Sequence, residues 1–384
     1  MTSYFDNAAT TRLCGAAADA FLSANGVFAN PSSLHSAGLE AEKLVTSSRK
    51  KLLSIMGGTG SGTLIFTGCG TESNTLCLFG TAYAKKLNAG KTIIISDSEH
   101  PSVYKNAEEL SKRGYAVKQI RTRGGYIDPD ELYELVDENT FLISVMTVNN
   151  ETGALYDIPA LCSAAKRKNP SVLFHTDATQ AFMKADTDVS KSGVDMMTVS
   201  AHKIGGPKGV GALYVKNELI RSHSLSPVLY GGGQEGGLRS GTENTAGISA
   251  FAAAAEDCVK NFDADIKRIE YLSGYIKEVL QKSGVRINTP KAFIPHIISA
   301  TLPGIKSEVM LHFLSSRGVF VSSGSACSSH HPGVSSAALA FGLSKKEADC
   351  TVRISIFREN TKEEAASLLQ SMAEGVNNLI KMYR

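Results

Sequence analysis

Between residues 40 and 260, short apolar runs alternate with segments of helical periodicity, and this alternation constrains the fold more than any other feature. The apolar runs are TLIF (63–66), TIIIS (92–96), FLISVMTV (141–148), SVLFH (171–175), MMTVS (196–200) and GALYV (211–215). Runs without polar alternation are typical of strands buried on both faces. Helical periodicity lies between the strands, over residues 39–56, 71–87 and 158–168. The pattern predicts an α/β fold with a mainly parallel sheet flanked by helices.

The C-terminal part of the chain has a different pattern. A long amphipathic stretch follows the alanine-rich segment 244–262, and the short strand-like runs HIISATLP and TVRISIF come later, with helices between and after them. A chain of 384 residues that is 42% hydrophobic can form two cores. We therefore expect a large α/β domain over residues 15–262 and a smaller α+β domain over 263–384, which also includes about residues 1–14.

Composition excludes several classes of protein. Forty Lys plus Arg balance thirty-seven Asp plus Glu without a concentrated basic stretch, so direct binding of nucleic acid is not expected. No apolar run approaches the roughly 18 residues that span a bilayer. The first residues, MTSYFDNAATTR, lack the layout of a secretion signal, so we expect a cytoplasmic protein with no membrane contact. The seven cysteines are scattered without a CxxC pair, which predicts neither a disulfide framework nor a metal site.

Polar residues follow two of the predicted strands, at the sheet edge where open α/β folds bind ligands. Asp177 and Gln180 come after SVLFH, and Lys203 comes after MMTVS in a glycine-rich loop. Read alone, Lys203 is most simply a surface lysine and Asp177 a helix N-cap. Together they favour a Schiff-base site, because a carboxylate beside a pyridine nitrogen keeps the ring protonated as an electron sink.

The segment FTGCGTESN (66–74) runs from a strand into a helix through glycines. The free backbone amides of Gly70 and Thr71, together with the helix dipole, favour a phosphate there. The spacing fits neither the dinucleotide-binding pattern nor the P-loop. GGTGSG (57–62) precedes its strand, and we interpret it as a turn.

Nine motifs lie along nearly the whole chain: DNAATT (6–11), NPSSLH (30–35), EH (99–100), NNETG (149–153), HTDATQ (175–180), SAHKIGGPKGVGALY (200–214), GGGQEGGLRSGTEN (231–244), SSGSACSS (322–329) and VRIS (352–355). Together they resemble the motifs of cysteine desulfurases, in the class-V aminotransferase group. The resemblance implies the fold of type I enzymes that use pyridoxal 5′-phosphate, and conversion of L-cysteine to L-alanine. The sulfur would pass as a persulfide to an acceptor protein.

The resemblance also implies roles for single residues around the cofactor ring. Lys203 would carry the cofactor as a Schiff base and act as a catalytic residue. Asp177 would pair with the pyridine nitrogen, and Gln180 would donate to the phenolic oxygen. His100 would stack on the ring and relay protons, and Asn150 would contact both ring and substrate.

Further roles concern the phosphate, the substrate and the sulfur. The resemblance implies that the phosphate is bound near Gly70 by Thr71, Ser200, His202 and, from the second subunit of a homodimer, Thr242. Arg353 would bind the substrate carboxylate, for which a planar bidentate guanidinium is suited. Cys327 would hold the persulfide.

Cys327 lies in SSGSACSSHHPGVSS, a run of small and turn-forming residues. Such a composition predicts an exposed, mobile loop. Movement suits the implied chemistry, because the thiol must meet the substrate sulfur and then present it to an acceptor.

The sequence departs from the common family pattern at some positions. The departures include Gly68, Cys69 and Asn74 in the phosphate segment, and also Gly236 and Phe357. The alternatives are a selenocysteine lyase, another pyridoxal-phosphate lyase or transaminase, and a non-enzymatic sulfur-relay scaffold. A thiol at Cys327 argues against a transaminase, which needs none. The acceptor, whether an iron–sulfur scaffold or a tRNA-thiolation protein, stays open.

Overall fold

The computed structural model describes residues 2–84, 90–323 and 335–382, and the strands within these ranges form three sheets. In chain order they are β1 (Ser3–Tyr4), β2 (Gly62–Thr67), β3 (Thr92–Ser96), β4 (Ala116–Ile120), β5 (Thr140–Ser144), β6 (Leu173–Asp177), β7 (Met196–Ser200), β8 (Gly211–Lys216), β9 (Arg286–Ile287), β10 (Ile297–Thr301), β11 (Val319–Phe320), β12 (Ser322–Ser323) and β13 (Thr351–Ser355).

The largest sheet has seven strands among the described residues, in the spatial order β2-β8-β7-β6-β5-β3-β4. Strands β4, β3, β5, β6 and β7 pair in parallel. Strand β8 runs antiparallel to both β7 and β2. The predicted α/β fold with a mainly parallel sheet is thereby confirmed.

Helices cover both faces of this sheet. In chain order the α-helices of the described residues are α1 (Gly15–Asn25), α2 (Ser36–Ile55), α3 (Gly70–Tyr83), α4 (Pro101–Lys112), α5 (Pro129–Leu135), α6 (Ile158–Lys168), α7 (Val189–Ser192), α8 (Asn217–Arg221), α9 (Thr245–Lys282), α10 (Ser307–Ser315), α11 (Ser336–Phe341), α12 (Lys345–Asp349) and α13 (Lys362–Met382). In β3, Ile94 belongs to one core cluster while Ile93 and Ile95 belong to another. Alternate side chains thus enter separate cores, which explains why the strand is apolar throughout.

Some predicted bounds were wrong. Strand β5 ends at Ser144, although the apolar run continues to Val148, and β6 begins two residues later than predicted and ends on Asp177 itself. Strand β4 was not predicted, because AVKQI is an edge strand with partly exposed side chains. Helix α9 runs unbroken across residues 262 and 263; the domain boundary predicted there is a separate matter and stays a prediction.

A second, antiparallel sheet of the described residues has the order β12-β13-β10-β9, and a separate apolar core lies against it. That core contains Phe5 near the N-terminus, Ile276 of α9 and Ile354 of β13. Residues near the N-terminus form a third, two-stranded sheet, in which β1 lies parallel to β11. The division at residues 15–262 and 263–384 stays a prediction. Among the described residues no helix is both long and apolar enough to cross a membrane.

Candidate active site

A cavity of about 320 Å³ lies beyond the carboxyl ends of β5, β6 and β7 of the seven-stranded sheet, and Arg353 of the four-stranded sheet also lines it. Its lining brings together nearly all the predicted cofactor- and substrate-binding residues: Gly70, Thr71, His100, Asn150, Asp177, Gln180, Ser200, His202, Lys203 and Arg353. Thr242 is exposed and is not part of this lining. Cys327 lies outside the described residues.

Lys203 and Asp177 reach the cavity because their strands, β7 and β6, are parallel neighbours. Asp177 accepts hydrogen bonds at both oxygens, Oδ1 from the Thr179 amide at 2.9 Å and Oδ2 from Asn74 Nδ2 at 2.7 Å. Lys203 Nζ donates to the Ala8 and Ala9 carbonyls at 2.6 and 2.8 Å. The predicted pair of lysine and acid therefore lines one cavity.

The N-terminus of α3 forms another wall of the cavity. Gly70 begins the helix, and a Cβ there would lie 3.1 Å from Thr179 Oγ1. The buried hydroxyl oxygens of Thr179 and Ser200 have no hydrogen-bond partner among the described residues. Buried polar atoms normally have partners, so these two point to a ligand. Helix amides beside hydroxyls are suited to a phosphate group.

An acidic residue in the first turn of α3 is neutralised. Glu72 forms an ion pair with Arg239 at 2.7 Å, and its Oε2 accepts from the Gly68 amide at 2.8 Å. Because these partners offset the negative charge of Glu72, an anion bound at the N-terminus of α3 is repelled less by this carboxylate.

Both histidines of the cavity are held neutral by their surroundings. Burial lowers the pKa of His100, an effect that Asp177 opposes and that Lys203 and Arg353 reinforce. Burial and then the Lys203 charge lower the pKa of His202 to about 4. Neutral imidazoles can both donate and accept hydrogen bonds at neutral pH.

Arg353 enters the cavity from β13 and is only 3% exposed. Its Nη2 pairs with Asp6 Oδ1 at 2.8 Å, and its Nη1 donates to the Asn150 carbonyl at 2.9 Å. Its Nε has no partner among the described residues. Arg353 lines the cavity, and a guanidinium whose Nε–H has no partner in the described part of the chain is suited to bind a carboxylate.

Several residues of the site were missed from the sequence. Asp6 lies in the DNAATT motif, which received no role, and Ala8 accepts from both Lys203 and Gln180 Nε2. Asn74 and Lys184 contact Asp177 and Gln180, respectively. Gln180 and Lys184 lie in a turn between β6 and α7 and not in a helix, so helical spacing gave no signal for their contact.

Comparison with known proteins identifies the family. The model of the class-V aminotransferases matches residues 3–368. Cysteine desulfurase IscS of Dictyoglomus turgidum is 37% identical over 368 residues, covering 94% of this chain and 91% of its own. A solved NifS-like protein superimposes with a TM-score of 0.91 at 33% identity, over 98% of this chain and 100% of its own. SspA in complex with cysteine does so with a TM-score of 0.82 at 31% identity, over 94% and 100%.

The chain therefore belongs to the class-V aminotransferase family and, within it, to the cysteine desulfurases.

Proposed function

We propose that this cysteine desulfurase uses pyridoxal 5′-phosphate to convert L-cysteine to L-alanine, and that its sulfur leaves as a persulfide on Cys327. The observation that carries the proposal is that Lys203, Asp177 and the N-terminus of α3 line the same cavity. These groups suit an aldehyde, a pyridine nitrogen and a phosphate, the three features of the cofactor. A solved relative, SspA, is in complex with cysteine, which supports the substrate.

The residues present fit the cofactor. The amides of Gly70 and Thr71 and the unpartnered hydroxyl of Ser200 would hold the phosphate, assisted by His202. Asp177 would accept a hydrogen bond from the protonated ring nitrogen, and Lys203 would be the point of attachment. When bound, the cofactor supplies an electron sink for the charge left at the substrate Cα.

The protein's own groups would orient the substrate and move its protons. Arg353 would bind the substrate carboxylate through its unused Nε–H, while Asp6 and the Asn150 carbonyl hold the guanidinium in place. The Lys203 amine, once released, would carry the α-proton, because it lies in the same cavity. The role of Cys327 rests on family resemblance and on the need for a thiolate nucleophile.

The test is incubation of the purified protein with L-cysteine and a reductant, measuring alanine and sulfide. Equal amounts of both are expected. Lys203→Ala should lose the visible absorbance of the Schiff base, whereas Cys327→Ser should keep it and form no persulfide. L-selenocysteine as a parallel substrate distinguishes the lyase alternative, and a colourless protein that cannot be reconstituted would favour the scaffold alternative.

Mapping the persulfide by alkylation and mass spectrometry tests the thiol. Cys69 is the informative comparison, because it lines the cavity. A persulfide on Cys69 in the wild type, or full turnover by Cys327→Ser, would overturn the assignment of Cys327.

We also propose a homodimer in which Thr242 completes the cavity of the second subunit. Large apolar side chains support it, since Phe28, Leu34 and Tyr230 are 91%, 92% and 76% exposed. Light scattering should give twice the mass of one chain. Mixed dimers of a Thr242→Ala chain and a Lys203→Ala chain test the exchange. They should retain one intact site if Thr242 completes the cavity of the second subunit, and none if Thr242 acts within its own subunit. The sulfur acceptor, such as an iron–sulfur scaffold or a tRNA-thiolation protein, and a cytoplasmic location belong to the same proposal.

A further inference from the structure

Four buried or half-buried side chains form a continuous chain of hydrogen bonds beside the cavity. Asn74 Nδ2 lies 2.7 Å from Asp177 Oδ2 and 2.8 Å from Ser102 Oγ. Ser102 Oγ in turn lies 2.8 Å from His100 Nδ1. The chain thus joins α3 to β6 and to the N-terminus of α4, and Asn74 is only 1% exposed. We call these four residues the Asn74 chain.

The position of each proton in the Asn74 chain follows from donor and acceptor chemistry. The Ser102 backbone N–H donates to His100 Nδ1 at 3.1 Å, as part of the N-cap of α4, so Nδ1 carries no proton. The Ser102 hydroxyl therefore donates to Nδ1 and accepts from Asn74. The second Asn74 N–H donates to Asp177, because the reversed amide would set two acceptors against each other.

This arrangement selects one tautomer of His100. With Nδ1 acting as an acceptor, the neutral ring carries its proton on Nε2. The charged groups that face His100 are Asp177 of β6, Lys203 after β7 and Arg353 of β13. Protonating Nδ1 would set it against the Ser102 N–H and break the cap of α4. The ring is therefore kept neutral, with a donor at Nε2.

We propose that Asn74 is a positioning residue, which orients the Asp177 carboxylate and, through Ser102, fixes His100 as the Nε2–H tautomer. One amide side chain thereby orients Asp177, the proposed partner of the ring nitrogen, and fixes the tautomer of His100, the imidazole proposed to stack on the ring. This inference deepens the proposed function, and the role of Asn74 in the reaction rests on that function. The family resemblance assigns Asn74 no role, and the residue lies in the segment that departs from the common pattern.

The chemical value of an amide at this position is that it donates two protons at any pH. One N–H is directed at the carboxylate and one at the hydroxyl, and neither depends on a titration. Asp177 thus keeps its direction toward the cavity, and His100 keeps its tautomer, over the whole working range of pH.

The test compares Asn74→Leu, which keeps the number and branching of the side-chain heavy atoms and removes both donors, with Asn106→Leu. Asn106 is a matched control, because its Nδ2 also joins α4 to α3 by donating to Thr75 Oγ1 at 2.8 Å. It reaches the Ser102 backbone carbonyl at 2.7 Å, but not the Ser102 hydroxyl, His100 or Asp177. Full-length protein labelled with ¹⁵N-histidine and free of cofactor is titrated by NMR, and His100→Gln identifies the His100 signals among the nine histidines.

In the wild type we expect an unprotonated Nδ1 and a protonated Nε2 for His100. In Asn74→Leu the Ser102 hydroxyl is free to turn and accept, so the titration midpoint of His100 should rise by about one pH unit. Asn106→Leu should titrate like the wild type. A wild-type Nδ1–H tautomer, an unshifted Asn74→Leu, or an equal shift in Asn106→Leu would each overturn the proposal.

Cofactor affinity separates the two ends of the Asn74 chain. Asn74→Leu should weaken pyridoxal 5′-phosphate binding about tenfold, because the charged Asp177 loses a hydrogen bond. Ser102→Ala should change the His100 signals and keep the affinity within about threefold, since Asn74 still reaches Asp177. Ser102→Ala also tests the tautomer if Asn74→Leu does not fold, and unchanged His100 signals there would overturn it. A protein that shows these shifts but makes no alanine from cysteine refutes the proposed function and leaves this inference intact.

Discussion

Lys184 is an amine buried beside the cavity, and we expect it to destabilise the folded protein near neutral pH. It is 5% exposed, and Nζ donates a long hydrogen bond of 3.4 Å to Gln180 Oε1. Burial lowers its pKa from the ordinary 10.5 to about 7. The Lys203 and Arg353 charges act in the same direction, and Cys258 opposes them.

The size and sign of the effect follow from proton linkage. The unfolded chain keeps the Lys184 proton up to about pH 10.5, whereas the folded protein releases it near 7. Between these values the unfolded chain binds more protons, so the free energy of unfolding rises with pH. Below about pH 7 the full penalty applies, at most roughly 5 kcal/mol from the difference between the two pKa values.

Lys184→Met keeps the length of the side chain and removes the charge. We expect the variant to unfold at a higher temperature than the wild type at about pH 6, and the difference to close as the pH rises toward about 10. Differential scanning calorimetry across this range measures it. Lys267→Met, at an exposed lysine, is the control and should show a difference that does not vary with pH. A wild type that gains stability relative to Lys184→Met on acidification would refute the reasoning.

Three further predictions concern stability and the phosphate wall. Arg49→Met should cost about 3 kcal/mol in chemical denaturation, because it leaves the buried Glu235 carboxylate without its ion pair, and a loss below about 1 kcal/mol would contradict this. Gly211→Ala should weaken binding of pyridoxal 5′-phosphate more than about tenfold in a fluorescence titration, since a Cβ would lie 2.9 Å from the Gly70 amide nitrogen; unchanged affinity would show that α3 tolerates the contact. Burial raises the pKa of Glu99 to about 8, so the folded protein holds this proton more tightly than the unfolded chain does. Wild-type stability should therefore fall as pH rises from 4.5 to 8, and Glu99→Gln should remove that loss. Melting temperatures of the wild type and the variant that stay parallel across this range would exclude the effect.

The strands were predictable where burial on both faces leaves an unbroken apolar run. Met196 to Ser200 formed the predicted β7, whereas β4 was missed because Lys118 and Gln119 of an edge strand face partly toward solvent. Strand β6 shifted because Thr176 and Asp177 are polar but fully or nearly buried, pairing with β7. Local composition does not reveal such pairing, which depends on the neighbouring strand.

The site was predictable to the extent that its residues follow strand ends. Lys203 and Asp177 could be found in this way, because parallel strands carry their carboxyl ends to one edge. Asn74, by contrast, is one of several buried polar residues of α3, beside Ser73 and Thr81, and its bond to Asp177 spans 103 residues of sequence. The Asp6 pair with Arg353 likewise depends on the packing of two sheets, which no local pattern encodes.

The contact between Asp6 and Arg353 also has a consequence for biosynthesis. The two residues are 347 positions apart, and the Ala8 and Ala9 carbonyls that receive Lys203 belong to the same early segment. At about 5–20 residues per second, a ribosome needs roughly half a minute between them. Most of the large sheet has therefore been synthesised before Arg353, the partner of Asp6, is made. Because Arg353 lines the cavity, loading of the cofactor into a complete cavity is expected to follow synthesis of β13.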